Sequence, residues 1–257
     1  MPASRGPETA RQEPPVHGIA DRLIVALDVP TIDAARNLVA SLRDVVFAFK
    51  IGFHLWLAEG ADELIQGLLR EERQVFIDAK MYDIENTVKL AASTAAQRGI
   101  SFITVHHNEK VVRAAVEGRA ASSLKIFVVP LLTMFDEQNL RDMGINRTVE
   151  EVMIRNTERA LDFGCDGVIA SPSDNIQRIK EMAKGKGKQL LVATPGVRPP
   201  GSETNDHRRF GTPADAIRNG ADYLIVGRPI YGEPDPVKAA RDIISQMETA
   251  TRTMDQA

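Results

Sequence analysis

From Asp21 onward, short apolar runs alternate with amphipathic stretches eight times, and this alternation constrains the fold more than any other feature of the chain. The predicted strands are residues 23–28, 45–51, 74–80, 102–106, 125–131, 167–170, 189–193 and 223–226. Helical periodicity covers 32–42, 54–69, 84–98, 109–119, 149–163, 174–183, 213–219 and 236–247. Eight strand–helix units in 257 residues predict an α/β fold, a single-domain (β/α)8 TIM barrel, with a doubly wound open sheet as the alternative. The barrel is expected over residues 21–250, with a flexible N-terminal tail over 1–20 and a short tail over 251–257.

Composition narrows the partners. Hydrophobic residues make up 43% and charged residues 26%, ordinary for a globular chain, and a net charge of −3 gives no reason to expect nucleic acid. The single cysteine, Cys165, forbids an intramolecular disulfide and fits a reducing cytoplasm; between Gly164 and Asp166 it reads as a small buried residue. No apolar run approaches the roughly 18–20 residues of a membrane span. The N-terminal segment is rich in Pro, Arg and Glu and has no apolar stretch of the kind a secretory leader carries. A cytoplasmic location, without membrane or nucleic-acid partners, is expected.

The polar residues gather where the apolar runs end, which in a (β/α)8 barrel is the face that carries chemistry. Asp28 ends the first run, Lys50 lies in the second, Asp78 and Lys80 end the third, and His106 ends the fourth. Thr133, Ser171, Thr194-Pro195 and Gly227-Arg228 follow the remaining four. In a regular strand Asp78 and Lys80 share one face, while Val75, Ile77 and Ala79 face an apolar layer. Charges there are costly to bury unless paired, and a lysine held between carboxylates stays charged and stays placed. Each residue alone has a structural reading: Asp28 as a turn residue before Val-Pro, Asp83 as a helix N-cap, Lys50 snorkelling from a strand. Their convergence on one face is what those separate readings leave unexplained.

The longest connections, 133–148 and 194–212, exceed the usual span of about 2–6 residues for such loops. The second sets Arg198, Arg208 and Arg209 among Pro195, Gly196, Pro199, Pro200 and Gly201, the make-up of a lid with an anion-facing tip. Loops after the seventh and eighth barrel strands often hold phosphate; Gly227 permits close backbone approach and Arg228 offers a bidentate clamp. His106 and His107, adjacent on a strand, point to opposite faces and are poorly placed to chelate one ion, so no metal is expected. Phe53 and Trp56 read as helix core.

Several stretches then combine: Leu27-Asp28-Val29, Phe49-Lys50-Ile51-Gly52, the Asp78-x-Lys80-x-x-Asp83-Ile84 element with Asn86-Thr87-Val88, Thr194 to Pro199, Arg208-Arg209, Thr212-Pro213 and Gly227-Arg228-Pro229-Ile230. On these the chain, from Leu23 to its last helix, resembles the orotidine 5′-phosphate decarboxylase family. Asp-x-Lys-x-x-Asp is shared with 3-keto-gulonate-phosphate decarboxylases and hexulose-phosphate synthases; the Thr-Pro-Gly-x-Arg-Pro loop joined to Gly-Arg-Pro-Ile is more specific to the orotidine enzymes.

The resemblance implies decarboxylation of orotidine 5′-phosphate (OMP) to UMP and CO2 in de novo pyrimidine biosynthesis, with no cofactor. It implies that Lys80 protonates C6 of the base within a charge array of Lys50, Asp78, Lys80 and Asp83. By the same resemblance Asp28, Lys50 and Thr87 lie near the ribose, and Gly227 and Arg228 hold the phosphate. Thr133, Pro195 and His207 join the substrate-binding set. A symmetric homodimer is implied, in which Asp83, Ile84 and Thr87 reach the partner's site. The alternatives are a related enzyme acting on another phosphate-bearing substrate and a barrel that binds pyrimidine nucleotides without turnover. Two positions depart from the family. Met134 replaces a serine that touches the pyrimidine edge and cannot donate a hydrogen bond, and His207 replaces a glutamine that bridges phosphate and base.

Overall fold

The structure, a computed structural model, describes residues 18–199 and 210–255. His207, Arg208 and Arg209, and residues 1–17 of the expected tail, lie outside the described residues. Eight parallel strands close into a barrel in sequence order: β1 (Leu23–Ala26), β2 (Ala48–Ile51), β3 (Gln74–Met81), β4 (Phe102–His106), β5 (Lys125–Val129), β6 (Gly167–Ile169), β7 (Leu191–Thr194) and β8 (Tyr223–Val226). Closure comes from β1 pairing with β8 in the register Leu23↔Leu224, Ile24↔Ile225 and Val25↔Val226. This is the expected (β/α)8 barrel, not the open sheet.

The helices follow as α1 (Ile32–Leu42), α2 (Phe53–Trp56), α3 (Ala61–Arg70), α4 (Glu85–Gln97), α5 (Glu109–Arg119), α6 (Glu137–Asp142), α7 (Val149–Asp162), α8 (Ile176–Gly185), α9 (Pro213–Arg218), α10 (Arg228–Tyr231) and α11 (Pro236–Asp255). Four outcomes differ from the sequence expectation. The helix expected over 54–69 is two, α2 and α3, because Gly60 takes the left-handed region at φ 84° and restarts the chain. The 133–148 connection contains α6, started by a capping box between Asp136 and Asn139. A short α10 follows β8 directly. The last helix continues to Asp255, so residues 251–255 are helix and not tail. Among the described residues, no helix is long and apolar enough to cross a membrane.

Apolar side chains form two shells. The outer one lies between barrel and helices and takes Val75, Ile77 and Ala79 from β3, as period-two alternation requires. The inner one fills the barrel with Ile24, Ala26, Ala48, Phe76, Phe102, Phe127, Val129, Ile169, Ala193 and Ile225. Phe76, Phe102 and Phe127 meet with ring centroids 5.6–6.1 Å apart, and Tyr223 closes on Phe102 at 5.3 Å. This aromatic plug makes the barrel a packed core with a floor. Gly167 gives the plug room, since a Cβ there would lie 2.5 Å from Phe127 Cε1 and 2.8 Å from the Leu191 carbonyl. Gly167→Ala is therefore expected to cost about 1–3 kcal/mol of stability through overpacking. Urea unfolding tests this, and an unchanged midpoint would show that the Phe127 ring has somewhere to go.

At the opposite end from the polar strand ends, side chains tie the strand entries together. Asp166 Oδ2 accepts the Ile126 N–H at 2.8 Å and the Arg119 guanidinium. Asp222 Oδ2 accepts the Val192 N–H at 2.6 Å and the Lys180 ammonium. Arg22 Nε donates to the Asp222 carbonyl at 2.7 Å, and Arg22 Nη2 donates to the Ala221 carbonyl at 2.5 Å, clasping the entry of β1 to that of β8.

Candidate active site

Strand alternation sends Asp78 up from above Phe76, Lys50 from above Ala48 and Thr104 from above Phe102, all on the inner face. The inner positions that β5 to β8 contribute beside the plug are apolar: Val129, Ile169, Ala193 and Ile225. The charged groups thus sit over β1–β4, on an aromatic floor.

They form a connected chain. Lys50 Nζ donates to Asp28 Oδ1 at 3.0 Å and lies 3.5 Å from Asp78 Oδ2. Lys80 Nζ donates to the same Asp78 Oδ2 at 2.7 Å. Asp78 Oδ1 accepts the Thr104 hydroxyl at 2.8 Å. Side-chain exposure is 9% for Lys50, 14% for Asp78, 36% for Lys80 and 45% for Asp28, so Lys50 and Asp78 form the buried root and Lys80 presents its ammonium to the opening. Gly52 keeps the Asp28–Lys50 pair accessible, for a Cβ there would lie 3.1 Å from Asp28 Oδ1.

The local backbone departs from the regular strand that the sequence suggests. Ile77 pairs with Ile103 and Met81 with Val105, so four steps along β3 match two along β4. Inside that irregularity Lys80 has φ 43°, in the left-handed region that side chains disfavour. Asp78 and Lys80 do meet over the barrel mouth, but a bulge brings them together and not simple alternation. The Lys80 N–H, displaced from the ladder, donates to Thr104 Oγ1 at 2.8 Å.

Burial alone pushes the Asp78 carboxyl upward. Lys50 and Lys80, with the hydrogen bonds from Lys80 and Thr104, outweigh it and hold Asp78 below the usual carboxylate range. His106, whose ring meets Tyr82 edge-on at 5.6 Å, is lowered by burial and then by His107 and Lys80, which favours its neutral form. The Tyr231 hydroxyl is raised by burial and by Asp28, against Arg228, Lys50 and Arg198.

These groups open into a cavity of about 650 Å³. Asp28, Lys50, Asp78, Lys80, Thr133, Pro195, Gly227 and Arg228 all line it. Arg198 and Tyr231 line it as well, and Thr104 supports it from beneath. Thr104 escaped notice because a threonine suits any strand; its only signal is a polar residue at an inward position of an apolar run. Phe53 is a correction: it lines the cavity and is 53% exposed, with Trp56 tilted against it at 6.1 Å, so neither belongs to a helix core. The four-residue α2 is too short to bury a face, which is why.

Asp83, Ile84 and Thr87 are exposed and lie outside the cavity. Asp83 does not occupy the N-cap of α4. Ile84 does, and the Asp83 carboxylate accepts the Ile84 N–H at 2.6 Å. Met134 is also exposed and does not line the cavity. A second cavity of about 690 Å³, between α7 and the segment after β6, has Asp136, Glu137, Glu150 and Asp174 in its lining and, among the described residues, no lysine or arginine. Its charge is of the wrong sign for an anionic substrate.

The chain and its barrel resemble known proteins. The family model described as "Orotidine 5'-phosphate decarboxylase / HUMPS family" matches residues 21–243. The orotidine 5'-phosphate decarboxylase of Nitrobacter winogradskyi is 42% identical over 232 residues, covering 90% of this chain and 95% of that one. That of a Bradyrhizobium species is 40% identical over 230 residues, covering 90% and 93%. The crystal structure of orotidine 5'-phosphate decarboxylase from Lactobacillus acidophilus superposes with a TM-score of 0.73 at 29% identity, over 88% of this chain and 99% of that one.

Proposed function

The chain belongs to the orotidine 5′-phosphate decarboxylase / HUMPS family, and from that premise we propose that it converts OMP to UMP and CO2 in pyrimidine biosynthesis, with Lys80 as the proton donor. The observation that carries the residue-level reading is the Asp28–Lys50–Asp78–Lys80 chain at the mouth of a cavity that Arg198 and Arg228 also line. Among the described residues, four cations line that cavity, Lys50, Lys80, Arg198 and Arg228, against two carboxylates, Asp28 and Asp78. Such an excess suits a substrate carrying both a phosphate and a carboxylate.

The C6–carboxylate bond breaks heterolytically. CO2 leaves, the bonding pair stays on C6, and the proton on Lys80 Nζ passes to C6 to give UMP; Lys80 is then reprotonated from solvent. Because no adjacent carbonyl delocalises that electron pair, stabilisation falls to charges fixed in advance, which need no reorganisation as the bond breaks. Asp78 holds Lys80 at 2.7 Å while remaining ionised, and Lys50 keeps Asp78 from facing the substrate's negative charge alone. Asp28, beside Lys50 at the rim, is assigned to the ribose hydroxyls. Gly227 and Arg228 are assigned to the phosphate, with Thr133 and Pro195 against the base. His207 stays in the substrate-binding set on sequence alone.

We assign Asp83, Ile84 and Thr87 to the site of a second copy in a homodimer. Tyr82 and Ile84 are 70% and 71% exposed beside Asp83, an apolar pair that a monomer gains nothing by presenting to water. The free, buried Cys165, its thiol pushed up to about 12 by burial and by Asp166, fits a reducing cytoplasm. The activity is tested by following the ultraviolet absorbance of OMP with purified protein, with and without chelator. The expected result is complete conversion to UMP at a rate the chelator leaves unchanged. Tight UMP binding with no absorbance change would sink the reading.

A further inference from the structure

We propose that Thr104 is a positioning residue for the proton transfer: its hydroxyl fixes the Asp78 carboxylate and the Lys80 backbone in the geometry from which the Lys80 ammonium reaches the substrate. The proposal rests on the reading of Lys80 as proton donor. Thr104 is fully buried and makes two hydrogen bonds, each 2.8 Å, to the two residues that matter. Their directions follow from chemistry. An ionised carboxylate only accepts, so the Thr104 hydroxyl donates to Asp78 Oδ1; a backbone N–H only donates, so Thr104 Oγ1 accepts from Lys80. One hydroxyl thereby uses its proton on Asp78 and a lone pair on Lys80.

Both groups need what it gives. With Oδ1 held by Thr104, Asp78 turns Oδ2 alone toward Lys50 and Lys80, at 3.5 and 2.7 Å. Where β3 and β4 lose register, the Lys80 N–H has Thr104 in place of a ladder carbonyl, which secures the φ of 43° that aims the side chain over the barrel mouth. Packing alone does not call for a hydroxyl here. Thr104 pairs in register with Phe127, and Val129, Ile169, Ala193 and Ile225 fill inner positions on β5 to β8, so an apolar residue is what those strands use inside the barrel. A buried N–H and a buried carboxylate oxygen left unpaired are both costly.

Thr104→Val keeps shape and removes the hydroxyl. Its kcat is expected to fall roughly ten- to hundredfold with KM within about threefold, since positioning and not binding is lost. The acid limb of the kcat profile should move to higher pH. A hydrogen bond to the charged form lowers a carboxyl's pKa, so removing it lets Asp78 protonate earlier as pH falls. The charged groups facing Asp78 are Lys50 from β2 and Lys80 from β3, with Asp28 beyond Lys50 and His106 beyond Lys80; none of these changes in the variant. Thr104→Ser should restore most of kcat and return the limb. A Thr104→Val protein with a lowered melting temperature but unchanged kcat and unchanged limb would overturn the proposal, as would a serine variant as impaired as the valine one. If the valine chain fails to fold, Thr104→Ala carries the same comparison against serine. Absence of OMP turnover by the unsubstituted chain, or undiminished turnover by Lys80→Ala, counts against the donor reading itself and is distinguishable from these results.

Discussion

Lys80→Ala is expected to abolish conversion of OMP, lowering kcat by about 10⁴-fold or more, the combined scale of a lost proton donor and a lost preorganised charge. The substitution removes the more exposed ammonium of the Lys50–Asp78–Lys80 group, and with it the proton proposed for C6. It also leaves Asp78 answered by Lys50 alone, at 3.5 Å, so the carboxylate faces the substrate's own carboxylate with less compensation. The fold should survive, because the Lys80 side chain is 36% exposed and packs into no shell of the core. UMP, which has no carboxylate, should still bind. The check is a single-turnover assay together with UMP titration and thermal melting on the same preparation. A loss of less than about tenfold with a normal melt would remove Lys80 from the donor role.

Arg228→Ala is expected to lower kcat/KM for OMP by about 10²–10³-fold, the range for removing a charge-assisted clamp on a phosphate. Arg228 opens α10 just after β8 and lines the same cavity as Lys80, and Gly227 beside it leaves the backbone approachable. Its effect on a distant bond would come through fixing the substrate, so that phosphate binding is converted into placement of C6 over Lys80. A dephosphorylated substrate separates this from general damage. Orotidine should be turned over equally by the Arg228→Ala and unsubstituted proteins. If kcat/KM for OMP is unchanged, the phosphate belongs elsewhere, and Arg198 on the same cavity becomes the residue to substitute next.

The barrel was legible because each strand is a compact apolar run and each outer helix a periodic one. The gathering of Asp28, Lys50, Asp78 and Lys80 was suggested by their interrupting those runs at corresponding places, but the array implied by the resemblance had Asp83 in place of Asp28, and Asp83 lies outside the cavity. What the sequence concealed is mostly backbone geometry. Nothing in Asp78-Ala79-Lys80-Met81 announces a register change with β4, and a left-handed lysine is not a choice that propensity suggests. Thr104 was hidden by being an acceptable strand residue, and its partners lie on another strand. Phe53 and Trp56 were misplaced because their apolar character was read without the left-handed Gly60, which cuts the helix that would have buried them. Asp83, Ile84 and Thr87 do not line the cavity within one chain, since Asp83 and Ile84 stand exposed just before α4 and Thr87 lies on its exposed first turn.

The Arg22 clasp bears on how the molecule comes into being. Arg22 and Asp222 are 200 positions apart, and the seam they close, β1 against β8, is the longest-range pairing of the barrel. At a synthesis rate of about 5–20 residues per second, β8 emerges roughly 10–40 s after β1, and until then the edge of β1 has no partner on that side. Asp28, Lys50, Asp78 and Lys80 are all made early, whereas Arg198 and Arg228 arrive late. A nascent chain halted after β4 would hold the acid–base groups on an unclosed edge with no phosphate cations opposite. The lining of the cavity is therefore complete only once β8 and the residues after it have joined β1, and Arg22 fastens that seam.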